Sequence, residues 1–357
     1  MKRIGIVTFQ RAHNYGAILQ CYALQEKIIE LGYSVDVIDY RPRSMDFYKF
    51  FLWNRLLPWH PRYALKSLLS ISRRKKRYDA FNDFINNNLH LSNPELLKKS
   101  SSYYDLVIIG SDQVWNPKNS LDTYDYYYWG KFKQNGKPRI ISYAVSMGGS
   151  WKTADWEIIN KLLNNFDSIS VREEYLQNCI KEKCNRESCW VLDPTLLVTR
   201  NFWLSKIQDV EPKNHYLFYY QARNNDDALK YSQEVASKMN LDFVCISADI
   251  MGNNSKECIS INPIAFLRLI KNATYVLTTS FHGTVFCYQL KKRFSTIKLG
   301  DGEDGRSIDF LSSIGLENHI ITLADEPMVS EANWSKADEI IERQRQLSLN
   351  FLFNNIK

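Results

Sequence analysis

The sequence predicts an α/β protein made of two facing, doubly wound, Rossmann-like domains, the first carrying a helical insertion. Two observations lead there. Short apolar, β-branched runs at residues 3–9, 34–39, 105–109, 215–221, 242–247 and 274–278 alternate with stretches of helical periodicity at 17–31, 227–239 and 263–272. Strand ends at 110–116, 144–149 and 278–283 carry small and polar residues, and open parallel sheets bind ligands at their strand ends. A chain of 357 residues, 45% hydrophobic and 24% charged, also exceeds one ordinary core.

The first strand, helix and second strand form a βαβ unit, and right-handed crossover makes its strands parallel. The loop before the helix holds His13, Asn14, Tyr15 and Gly16 in the place of a dinucleotide loop, without its GxGxxG spacing. It either holds a ligand over the sheet or serves as a turn. Between about 42 and 92 the alternation breaks. Phe47, Tyr48, Phe50, Phe51, Trp53 and Trp59 crowd one segment, and Arg73, Arg74, Lys75, Lys76 and Arg77 follow on a helical stretch. Such an insertion either packs on its own domain or lies against a membrane surface or a lipid-linked acceptor.

The sheet resumes at 105–109, and Gly110, Ser111, Asp112, Gln113 and Trp115 stand at the end of that strand. The small residues permit close main-chain approach, Asp112 is a candidate base and Gln113 offers an amide. Arg172 ends a later strand, where it either clamps a carboxylate or phosphate or pairs with Glu173 or Glu174. The expected first domain is 1–200 and the second 201–330, with a helix over 331–357 returning across the boundary.

The stretch 274–283 reads Thr-Tyr-Val-Leu-Thr-Thr-Ser-Phe-His-Gly. A helix opening just after it places His282 at a strand's carboxyl end beside a helix N-terminus, a natural anion site. A histidine there transfers protons or simply packs the turn. In the loop 301–309, Arg306 contacts an anion or pairs with Asp301 or Glu303.

A net charge of +7 favours anionic ligands. The basic run stands alone without a recognition motif, so nucleic acid is not expected as a partner. Seven cysteines, with no CxxC pair, give no basis for a metal site. With no signal peptide and no apolar run of membrane-spanning length, the expected location is the cytoplasm, with the inner membrane face as a further option.

Taken together, Asn14-Tyr15-Gly16-Ala17, Gly110-Ser111-Asp112-Gln113-Val114-Trp115, Ser170-Val171-Arg172-Glu173, Asp193-Pro194-Thr195 and Ser280-Phe281-His282-Gly283 resemble the polysaccharide pyruvyl transferase family. The resemblance implies a GT-B-like pair of domains and transfer of a pyruvyl group from phosphoenolpyruvate to two hydroxyls of a sugar. The products are a cyclic ketal and phosphate, and phosphoenolpyruvate is the co-substrate with no further cofactor. It implies that Arg172 and the loop from Ser280 to Gly283 face the donor, with His282 catalytic. Some members carry an arginine two residues before that histidine, where this chain has Ser280, so anion contact falls to Arg172, Arg306 or Lys298. Asp112 would take the acceptor proton, with Tyr15 and Trp115 stacking on a sugar or lipid-linked oligosaccharide in a cleft bordered by His13, Asn14, Gly16, Gly110, Ser111 and Gln113. A nucleotide-sugar glycosyltransferase and a non-catalytic component of polysaccharide assembly are the alternatives.

Overall fold

The computed structural model describes residues 2–42, 44–45, 70–93, 103–120, 123–132, 138–208, 215–247, 259–328 and 332–357. Two parallel sheets organise them. The first sheet runs β3-β2-β1-β4-β5-β6-β7, with β1 Arg3–Val7, β2 Ser34–Ile38, β3 Leu91–Ser92, β4 Leu106–Asp112, β5 Arg139–Val145, β6 Ser170–Val171 and β7 Cys189–Trp190. The second runs β12-β11-β10-β8-β9, with β8 Tyr216–Gln221, β9 Asp242–Ser247, β10 Tyr275–Thr278, β11 Phe294–Ile297 and β12 Ile320–Ile321. The central strands β4, β8 and β10 are buried along their whole length, as expected of parallel strands covered by helices on both faces.

The helices begin where the sequence supplies a cap. Asn14 accepts from the main-chain N–H groups of Gly16 and Ala17 to open α1, Tyr15–Glu30. The next helix, α2, Ile71–Asn88, returns the chain from β2 to the parallel edge strand β3. The remaining helices of the first half are α3 Trp156–Leu163, α4 Glu174–Cys184, α5 Pro194–Leu197 and α6 Arg200–Lys206. Around the second sheet lie α7 Asp226–Lys238, α8 Pro263–Asn272, α9 Phe281–Gln289 and α10 Gly305–Ser313, followed by the long terminal α11, Trp334–Ile356.

Helix α2 falls inside the helical insertion expected over 42–92. Its described C-terminal part is the crossover helix of the sheet, because Phe81, Phe84 and Ile85 recur at helical spacing and join the core with Tyr22 of α1. The aromatic segment from Phe47 to Trp59 lies outside the described residues. The basic run is no uniform surface patch either, since Arg74 and Arg77 are buried. Among the described residues no helix is long and apolar enough to cross a membrane.

One core cluster runs through both halves, bringing Ile18, Leu24 and Tyr15 together with Phe218, Phe266 and Phe286. Polar ties cross the same boundary. Arg77 donates to the main-chain oxygens of His13 and Ser247, both at 2.7 Å. Helix α11 reaches back to the first half, where Ser348 Oγ accepts from Leu192 N at 2.9 Å and Arg345 Nε donates to Leu196 O at 2.7 Å.

Replacing Arg77 with Met removes two charge-assisted bonds and leaves two carbonyls short of their donor, a loss of about 3 kcal/mol. Replacing Lys75, whose pair with Asp79 is exposed, should cost less than about 1 kcal/mol. Urea unfolding of the two variants checks the contrast, and equal losses would show that Arg77 does not tie the halves together.

Candidate active site

The geometry of the site starts at β10. Thr278 Oγ1 donates to Tyr220 O at 2.9 Å and accepts from Ser280 N at 3.0 Å, fixing the turn out of the strand. Ser280 then caps α9 by accepting from Gly283 N at 3.3 Å. Gly283 is a packing requirement, because a Cβ there would lie 2.2 Å from Thr278 Oγ1. These constraints set the second residue of α9, His282, against the first half of the chain.

The His282 imidazole is wedged between two partners from that half. Its Nε2 lies 3.5 Å from Asp193 Oδ2, at the outer limit of polar contact, and makes no hydrogen bond. On the other side is Gly16, where a Cβ would lie 2.0 Å from His282 Nδ1. Only glycine leaves room for the ring. The histidine is 6% exposed yet still borders a cavity.

Asp193 is the fixed point of this arrangement. Fully buried, it caps α5 by accepting from Thr195 N at 2.9 Å and Thr195 Oγ1 at 2.6 Å, while its other oxygen accepts from Arg172 Nη1 at 2.8 Å. Burial alone would raise its carboxyl, but the His282 ring, the Arg172 guanidinium and the Thr195 hydroxyl hold it well below the ordinary carboxylate range.

Arg172 is engaged on three sides. Besides Asp193 it meets Glu173 Oε1 at 3.3 Å and Asp112 Oδ1 at 3.5 Å, and its guanidinium carbon sits 4.9 Å from the centre of the Phe281 ring. Burial disfavours its charge, but Glu173, Asp193 and Asp112 more than offset this and raise it above the ordinary arginine value. The expected donor clamp is therefore, in this structure, the hub of a buried ion-pair cluster, with its nitrogens turned to carboxylates.

The cavity bordered by His282 occupies about 340 Å³ between the ends of the two sheets. Its walls include Asn14, Asp112, Gln113, Ser280, Phe281 and Arg306. Cations reach it from Arg306, Arg223 and Lys118. Arg223 pairs with Asp301 and Asp304 at 2.7 and 2.8 Å. Arg306 is less committed, since Glu303 is 3.9 Å away and its Nε has no hydrogen-bond partner. Turned with its oxygen toward that guanidinium, the Gln113 amide accepts at 2.7 and 3.0 Å. The N-terminus of α9 opens at the same wall, adding main-chain N–H groups that have no carbonyl within the helix.

Several expected cleft residues lie elsewhere. Trp115 is buried, stacked 4.3 Å from Trp129, and its indole donates to Tyr128 O. Tyr15 stacks on Phe266 at 4.5 Å and donates to Ile261 O at 3.0 Å. Both rings are spent on packing and offer no face to a sugar. Gly110 lets β4 approach β5, since a Cβ would lie 2.3 Å from Tyr143 O, and Ser111 is buried with its hydroxyl donating to Ala144 O. Lys298 is exposed and is not among the residues lining the cavity. Asp193 and Arg223 carry the opposite lesson: the sequence assigns neither a role at the site, although Asp-Pro-Thr after a short apolar run is a helix-cap signature that marks Asp193.

His13 is buried against Phe81, ring centres 5.2 Å apart, and does not line the cavity. Burial first, then the charges of Arg77, Arg11 and Arg74, push its imidazole from the ordinary 6.5 down to about 3. A depressed histidine contributes stability that is complete above its unfolded value and is lost as pH falls from about 6.5 toward 3. His13→Phe should therefore lose less Tm than the unmodified chain between neutral pH and mild acid. Parallel melting curves across that range check this, and identical pH dependence would contradict it.

The UDP-N-acetylglucosamine 2-epimerase from Rickettsia bellii superposes with a TM-score of 0.50 at 9% identity, covering 100% of this chain and 97% of that one, so the likeness concerns the fold. The UDP-GlcNAc 2-epimerase of Methanocaldococcus jannaschii gives 0.48 at 14% identity, over 97% of this chain and 93% of that one. The Streptomyces sp. SF2575 glycosyltransferase SsfS6 gives 0.47 at 12%, over 97% and 96%. The two facing sheets have the GT-B-like double Rossmann architecture. No curated protein sequence matches the chain. A family model does match, over residues 14–298, which takes in the α1 loop, the Arg172 cluster, Asp193 and His282, and by that match the chain belongs to the polysaccharide pyruvyl transferase family.

Proposed function

We propose that the chain transfers the pyruvyl group of phosphoenolpyruvate to two hydroxyls of one sugar in a surface polysaccharide or its precursor, and that the donor binds in the 340 Å³ cavity beside His282. The observation that carries this is the juxtaposition there of an imidazole, a helix N-terminus and the incompletely paired Arg306. A small metabolite bearing a carboxylate and a phosphate needs both charges compensated once it leaves water. Arg306 and the α9 N-terminus provide for this, and Lys118 stands exposed at the rim.

The His282 ring protonates the donor's methylene carbon, and a sugar hydroxyl adds to the neighbouring carbon while Asp112 takes its proton. A second hydroxyl then displaces phosphate from the same carbon, closing the ketal, and its proton leaves with the phosphate. Per ketal, the C=C π bond and one C–O bond to phosphate break, one C–H bond and two C–O bonds to sugar form, and the proton taken by Asp112 replaces the one given up by His282. The carboxylate of Asp193, 3.5 Å from the ring, would balance its charge whenever it is protonated.

Replacing His282 with Ala should lower phosphate release by about a thousandfold with the fold intact. Gly16→Ala should do nearly as much by displacing the ring, although it alters no chemical group. Arg306→Met should abolish the Tm rise that phosphoenolpyruvate gives the unmodified chain, since only a ligand favouring the folded state raises Tm. Retained turnover in His282→Ala, or a Tm rise with uridine diphosphate and none with phosphoenolpyruvate, would reject the proposal.

A further inference from the structure

Asn14 lines the cavity beside His282, and the fold uses only one end of its side-chain amide. Its Oδ1 accepts from Gly16 N at 2.9 Å and Ala17 N at 3.2 Å, which caps α1. An oxygen that accepts twice from main-chain N–H groups settles which end of the amide is which, so Nδ2 is directed away from them. Among the described residues that nitrogen donates to no acceptor. Two N–H donors are therefore held in a fixed direction at the cavity wall.

Asp112, the base of the proposed reaction, stands on the same sheet edge. It ends β4, Asn14 follows β1, and these strands are parallel neighbours with Val7 opposite Ile109. A polar chain fixes one relative to the other. Gln20 Nε2, from α1, donates to Thr8 Oγ1 at 3.0 Å, and Thr8 Oγ1 donates to Ser111 O at 2.9 Å, with all three residues fully buried. Charge then divides the cavity between the halves. Arg223, Glu303, Arg306 and the α9 N-terminus come from the second half. The first half contributes Phe9, Ala12 and Met45, and among the described residues its charged side chains there are Asp112 and the exposed Lys118. Such a wall suits a neutral molecule rich in oxygen. It offers apolar surface to C–H faces, uncharged donors to oxygens and one carboxylate to a hydroxyl proton.

We infer that Asn14 is a specificity-determining residue for the acceptor: its amide donates to an oxygen of a neutral sugar seated on the first half's side of this one cavity. The acceptor role rests on the pyruvyl transfer proposed above, whereas saccharide binding at Asn14 does not. Sugar, Asp112 and donor then share a single compartment. The place that the buried Tyr15 and Trp115 cannot give the acceptor is supplied by Asn14. Cap and contact belong to opposite ends of one amide, so they can be separated by substitution.

Asn14→Ser keeps a cap for α1 without the amide, and Asn14→Asp keeps cap and size but puts an acceptor where the donor was. The full chain and both variants are compared by saturation-transfer NMR with methyl glycosides of glucose, galactose and mannose and their N-acetylamino counterparts. The Tm rise given by phosphoenolpyruvate is measured alongside. The expected result is a saturation-transfer signal from at least one glycoside, with binding weakened about tenfold or more in both variants and the phosphoenolpyruvate response unchanged in Asn14→Ser. No signal from any glycoside, or binding that persists in either variant, overturns the inference. So does a phosphoenolpyruvate response lost from Asn14→Ser, which would assign the amide to the donor. Saccharide binding that depends on Asn14, with no phosphoenolpyruvate response in the unmodified chain, supports this role and removes the proposed donor. The reverse removes this role and leaves the donor in place.

Discussion

A single buried carboxylate connects the parts of this protein that matter for chemistry. Asp193 lies where the first sheet hands the chain over to the second, and its two oxygens are divided between its own helix cap and the groups that converge from elsewhere. Without a partner, a carboxylate this deep would be a heavy burden on stability. Arg172 supplies the compensation and in turn recruits Asp112 and Glu173. The same Oδ2 lies 3.5 Å from the His282 ring, so the residue that balances the first domain's charge also borders the imidazole of the second.

Charge partition follows from that knot. Because Arg172 is surrounded by acids, it cannot serve an incoming anion without giving up partners that are themselves buried, and breaking such a pair costs about 3 to 5 kcal/mol. A cation left with spare capacity is Arg306, set back against Gln113 at the cavity bordered by His282. Burial first, and then the charge of Arg172, lower its guanidinium below the ordinary arginine value, while Asp112, Glu173 and Glu303 oppose this. A guanidinium so placed gains most when an anion arrives. In the proposed reaction it is Arg306, from α10, that would meet an anionic group of the donor.

Much of the fold was legible because it rests on patterns of short range. Buried parallel strands are apolar runs, and caps such as Asn14 and Ser280 announce their helices. His282 was legible for the same reason, as a strand end followed by a helix start. Partners were not. Whether Arg172 clamps a ligand or pairs with acids depends on Asp193, twenty-one residues later, and Asp112, sixty residues earlier. Trp115 and Tyr15 read as platforms because aromatic residues serve both surfaces and cores, and only packing against Trp129 and Phe266 decides between them. Gly16 looked like part of a ligand loop; its reason is a histidine more than two hundred residues away.

The most direct measurement is a crystal structure of the chain with phosphoenolpyruvate. The account predicts the ligand in the cavity bordered by His282, one anionic group on Arg306 and the α9 N-terminus, with the His282 ring facing the methylene carbon and Arg172 still held by Asp193. Phosphoenolpyruvate bound instead on Arg172, with His282 remote from it, would contradict that account.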